Sequence, residues 1–96
     1  MAKLERQVHG SFDGILNSLH QAVLQGSMSA SYEDGSDFAQ GDFRCAVRVY
    51  ERYSWSGGNR VSLTLTLAGS QGTFFKLNTF GEEAFLDTIA PVIENL

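Results

Sequence analysis

Phe43-Arg44-Cys45-Ala46-Val47-Arg48-Val49-Tyr50-Glu51-Arg52-Tyr53, followed after a short break by Arg60-Val61-Ser62-Leu63-Thr64-Leu65-Thr66-Leu67, decides the fold. Odd-numbered Phe43, Cys45, Val47, Val49, Val61, Leu63, Leu65 and Leu67 are apolar. Even-numbered positions collect Arg44, Arg48, Arg52 and Arg60 with Tyr50, Ser62, Thr64 and Thr66. Side chains on a strand alternate faces with period two, so the pattern reads as one hairpin with a buried apolar face and an arginine, tyrosine and hydroxyl face. For both apolar sets to share a face, the connection needs an odd number of residues or a bulge, and Trp55-Ser56-Gly57-Gly58-Asn59 is a five-residue candidate.

Outward from the hairpin, Leu4 and Val8 mark a short first strand, with Arg6 on its apolar parity. Phe12, Ile15, Leu16, Leu19 and Val23 recur at helical spacing, so residues 12–25 are predicted as an amphipathic helix. Ser11 is its N-cap, Asp13 sits at the positive end of the dipole, and Gly26 stops it. Residues 28–33 alternate as a second strand. Asp34-Gly35-Ser36-Asp37 and Gly41-Asp42 then read as turns around Phe38, which pins the loop to the body. A fifth strand is expected over residues 73–78 after the turn at 68–72. Thr79 and Glu82 have capping-box spacing ahead of a closing helix with Phe85, Ile89, Val92, Ile93 and Leu96 on one stripe, which Pro91 should kink or restart.

The predicted order is therefore strand, helix, four antiparallel strands, helix: an α+β two-layer sandwich, with both helices packed on one face of a meander. This order resembles the TATA-box-binding-protein-like and helix-grip folds, in topology alone.

The chain has 96 residues, enough for a single domain spanning 1–96. No apolar run reaches the length of a membrane span and the first residues lack the apolar stretch of a signal peptide, so a cytoplasmic protein is expected. The single Cys45 sits on the apolar parity and reads as a buried thiol. A net charge of −4 argues against nucleic acid as a partner, since phosphate attraction dominates that binding.

Glu51 breaks the pattern by falling on the apolar parity, where desolvation would raise its proton affinity as in a general acid; the plainer reading places it at the sheet rim. Arg44, Arg48, Tyr50, Arg52 and Arg60, with Phe74 and Lys76 beside them, suit an anion through arginine forks, or a protein interface through their aromatic and arginine mixture. The acidic loop around Asp34 lacks calcium-loop spacing, and His9 and His20 lie on different elements, so no metal and no cofactor are expected. Trp55 beside two glycines is a contact point or a cover over the sheet end.

Several linked strings resemble a small uncharacterised prokaryotic protein family: Glu33-Asp34-Gly35-Ser36-Asp37-Phe38, Arg44 to Tyr53, Gly57-Gly58-Asn59-Arg60, and Phe74-Phe75-Lys76 with Asn78-Thr79 through Phe85-Leu86-Asp87. The resemblance spans Gly26 to Asp87 and implies no activity. The expected function is a non-catalytic binding or interaction module, a homodimer or partner binder using the even-numbered face. The alternative is an anionic or small-molecule pocket between the sheet and the 82–95 helix, with Glu51, Tyr53 and Pro91 near its mouth.

Overall fold

The computed structural model describes residues 1–54, 58–72 and 74–96. Strand β1 (Ala2–Val8) leads into helix α1 (Phe12–Gly26); β2 (Ser31–Gln40), β3 (Phe43–Tyr53), β4 (Arg60–Ser70) and β5 (Phe75–Gly81) follow, and helix α2 (Glu83–Glu94) closes the chain. The strands form one five-stranded sheet in the order β1-β5-β4-β3-β2, every neighbouring pair antiparallel. The α+β class with an antiparallel sheet is the one the alternation predicts.

Helix α1 starts where Ser11 accepts a hydrogen bond from the Gly14 amide at 3.1 Å, and its buried face is Phe12, Ile15, Leu19 and Val23. Helix α2 buries Phe85, Leu86, Ile89 and Ile93 and continues through Pro91 to Glu94. Both meet the sheet face that carries Val8, Ala46, Tyr50, Leu63, Leu65, Leu67, Phe75 and Leu77 in one core cluster. Phe12 sits edge-on against Phe75 and Phe85 stacks under Arg52. Each fully buried Leu or Phe there contributes roughly 1.5–3 kcal/mol by leaving water.

Three expectations change. The hairpin parity is the first. Ala46 pairs with Leu67, Arg48 with Leu65 and Tyr50 with Leu63, so even positions of β3 share a face with odd positions of β4. The β3–β4 connection, residues 54–59, has an even count, closed by the Ser54 amide donating to the Asn59 carbonyl at 2.7 Å. Trp55, and with it the expected five-residue loop, lies partly outside the described residues. The arginine parity of β3 is thus the helix-covered one. Arginine permits this because its aliphatic stem lies along apolar surface while its head reaches a polar neighbour.

Second, Asp34-Gly35-Ser36-Asp37 is strand. A bulge between Tyr32 and Asp34 absorbs one residue, and pairing then runs to Gln40↔Phe43. Gly35 is needed because a Cβ there would meet the Tyr32 hydroxyl and come within 3.2 Å of the Val47 carbonyl. Gly41, at φ +57°, supplies the first position of a two-residue hairpin turn. Phe38 consequently lies on a strand, more than half exposed, and pins no loop. Third, Thr79 is a buried residue of β5, and Glu82 caps α2 itself, its Oε1 accepting from the Phe85 amide at 2.9 Å.

Among the described residues, no element covers the opposite sheet face.

Candidate functional site

The residues singled out by sequence fall into three places. The first is the helix-side crevice beside α1. Tyr50 is fully buried, its hydroxyl sharing a hydrogen bond with Nδ1 of His20 at 2.8 Å, and the Tyr32 ring packs on both. Burial pushes the Tyr50 phenol up to about 12, with Arg48 opposing the rise and Tyr32 assisting it. Arg48 reaches Asp37 at 3.0 Å and the Val47 carbonyl at 2.9 Å. Together they line a cleft of about 310 Å³. Further along, Arg44 clamps Asp13 in the first turn of α1 with two bonds of 3.0 and 3.1 Å and lies over the Phe12 ring. Its hydrogen bond holds the Asp13 carboxyl below the usual carboxylate range.

The second place is the uncovered face. Glu51, expected on a desolvated parity, is here instead, about one-third exposed, and takes Arg60 Nε at 2.7 Å. Arg60 also donates to Ser31 at 3.1 Å and lies over Tyr53, with Glu33 at 3.4 Å. This arrangement is an ion-paired rim and no longer suggests a general acid. Along the face runs an apolar row: Phe38 beside Cys45, Cys45 beside Ala68, Val47 beside Thr66, Val49 beside Thr64, and Thr64 beside Phe80. Phe38, Phe43 and Phe80 are exposed, and Cys45 is only half-buried, contrary to the buried thiol expected. Lys76 pairs with Glu5 on the same face at 3.5 Å. Phe74 is exposed and meets the His9 ring.

The third place is the end of the molecule where α1 finishes and α2 begins. Arg52, 6% exposed, lines a cleft of about 720 Å³ with Gly26, Ser27, Ser29, Tyr53, Ala84 and Thr88. Glu51 and Pro91, expected at its mouth, do not line it.

Sequence reasoning missed His20 as the partner of Tyr50, although it lies one helical turn from Leu16 on the margin of the buried stripe. It also misplaced Arg52, whose burial follows once the connection is counted as six residues, 54–59.

These features define a small α+β domain: a five-stranded antiparallel sheet covered by two helices on one side and, among the described residues, bare on the other. The chain belongs to DUF6054, a family of unknown function, whose model matches residues 1–69 and 65–96, the two segments overlapping within β4. No curated protein and no solved structure matches it significantly. No described helix is long and apolar enough to cross a membrane.

Proposed function

We propose that this protein is a self-associating interaction module whose bare sheet face packs against the same face of a second copy. The observation carrying this reading is the apolar row Phe38, Phe43, Cys45, Val47 and Val49, bordered by Thr64, Thr66, Ala68 and Phe80, on a face that no second layer covers among the described residues. Sheets with one apolar face left open bury it against another layer, and rows of contiguous exposed apolar side chains mark interaction sites. The size fits. Strands about 4.8 Å apart and seven to eleven residues long, at roughly 3.3 Å per residue, make a five-stranded face of roughly 700 Å², close to what one partner contributes to a standard interface. The ion-paired set Arg60, Glu51 and Glu33 and the pair Lys76 and Glu5 flank the row as a polar rim.

The face differs from the arginine face expected from sequence, but it keeps Arg60, Thr64, Thr66 and Lys76. Light scattering on a size-exclusion column is expected to return a dimer, and Val47→Asp a monomer with an unchanged far-ultraviolet spectrum. A wild-type monomer at high protein concentration overturns the reading.

A further inference from the structure

We infer that the cleft between the end of α1 and the start of α2 is a binding site for a small molecule carrying one carboxylate on an apolar body, with Arg52 as its anchor. This inference does not rest on self-association, since Arg52 faces the helix side of the sheet, although Tyr53 at the cleft's rim also borders the bare face.

The guanidinium of Arg52 is the first support. The residue is 6% exposed, yet its Nε is buried without a hydrogen-bond partner among the described residues. A buried guanidinium is costly unless its donors are met, and native structures leave few such groups unmet without reason. Its nearest carboxylate does not meet them. Glu82 Oε1 is committed to the Phe85 amide at 2.9 Å and stands 3.8 Å from Arg52 Nη2, beyond hydrogen-bond reach. Glu82 therefore balances the charge from a distance while leaving the Nε edge unmet.

The surroundings of that edge are the second support. Arg52 lines the cleft of about 720 Å³, within the size range of small-molecule sites. The first turn of α2, at Ala84, borders it, and the amides of Glu83 and Ala84 have no partner within the helix. Ser27, Ser29 and Thr88 add hydroxyls, while Tyr53 and Met28 form an exposed apolar rim. Of these hydroxyls, Ser27 and Ser29 contact each other at 3.5 Å, Ser29 also accepts the Tyr53 amide at 3.1 Å and Thr88 donates to the Phe85 carbonyl at 2.7 Å, so the guanidinium is the charged group left to specify the ligand.

Charge selects the ligand class. One arginine faces one nearby glutamate, with Glu83 exposed beside it. That balance tolerates a single added negative charge far better than a dianion, and the planar fork of arginine matches the two oxygens of a carboxylate.

The test uses the full chain, nitrogen-15 labelled, titrated with benzoate, with benzamide as its uncharged analogue and with inorganic phosphate. Benzoate is expected to give saturable shifts confined to residues 26–29, 52–54 and 82–88, with a Kd of about 1 mM or tighter and at least a tenfold preference over both other probes. Arg52→Gln should abolish that preference. Because this variant removes a buried side chain, a second one, Ala84→Phe, narrows the mouth from an exposed position while leaving the Arg52 side chain in place, and should weaken benzoate about tenfold. Absence of saturable benzoate shifts, an equal response to benzamide, or wild-type affinity in Ala84→Phe overturns the proposal. Self-association is read separately by light scattering of the same samples, so either conclusion can fail alone.

Discussion

Raising the pH across the alkaline range tests the Tyr50 environment directly. The phenol is shifted from 10.0 to about 12, first because the ring is buried, with the Arg48 charge pulling the other way. Below pH 10 the phenol is neutral in both folded and unfolded chains, and the full stability is present. Between pH 10 and 12 the unfolded chain releases the proton while the folded one holds it, so stability falls as pH rises. A gap of two pH units corresponds to about 2.7 kcal/mol at its limit, of which about 1.4 kcal/mol is gone by roughly pH 11. Tyr50→Phe removes this dependence and also removes the hydrogen bond to His20 at 2.8 Å, a loss of about 1 kcal/mol at neutral pH. The variant should therefore be the less stable protein at pH 8 and the more stable one above about pH 11. Urea unfolding followed by far-ultraviolet circular dichroism at half-unit pH steps measures both curves. Parallel curves that never approach one another would refute the reasoning.

Thr79 is fully buried and its hydroxyl meets no partner among the described residues, so Thr79→Val should raise stability by about 1 kcal/mol, seen as a rise of roughly 4–8 °C in Tm. Gly81 lets β4 approach β5; a Cβ there would lie 2.6 Å from Leu63 Cδ1 and 2.9 Å from the Ser62 carbonyl, so Gly81→Ala should cost about 1–3 kcal/mol in chemical denaturation. The Arg44 clamp contributes stability that is complete above the ordinary Asp value of 3.8 and is lost as pH falls through the lowered one; Arg44→Gln should flatten that acid dependence, and added salt should mimic it. Cys45 lies on the proposed interface, so its reaction with a disulfide reagent should slow as protein concentration rises, and Val47→Asp should restore the fast rate.

The elements with strong periodicity were legible in sequence. Helix α1 follows from Ser11, the apolar spacing and Gly26, because each signal is local. What escaped was non-local. Val47 and Val49 look like core because branched residues favour strands, yet that preference holds on a bare face as well. Ala46, Tyr50 and Arg52 look like surface, yet a small residue, a phenol with a histidine partner and a guanidinium over a phenylalanine ring are what the helices cover. Strand β2 was hidden by Asp34, Gly35 and Asp37, residues with turn chemistry whose strand state rests on pairing with β3. The arginines were the right residues to single out. Their separation onto two faces depends on register, set by the number of residues in one connection.

The character of β2 bears on how far the proposed association would extend. This strand has one neighbour, nine of its ten residues are exposed, it carries Glu33, Asp34 and Asp37, and it is broken by a bulge after Tyr32. Charge and an interrupted ladder discourage a foreign strand from adding to it, and at the other side of the sheet Lys3, Glu5 and Arg6 do the same for β1. Growth by edge-to-edge stacking is thereby blocked in both lateral directions. The proposed face-to-face pairing, flanked by two such edges, would stop at two copies, which separates controlled assembly from fibre formation.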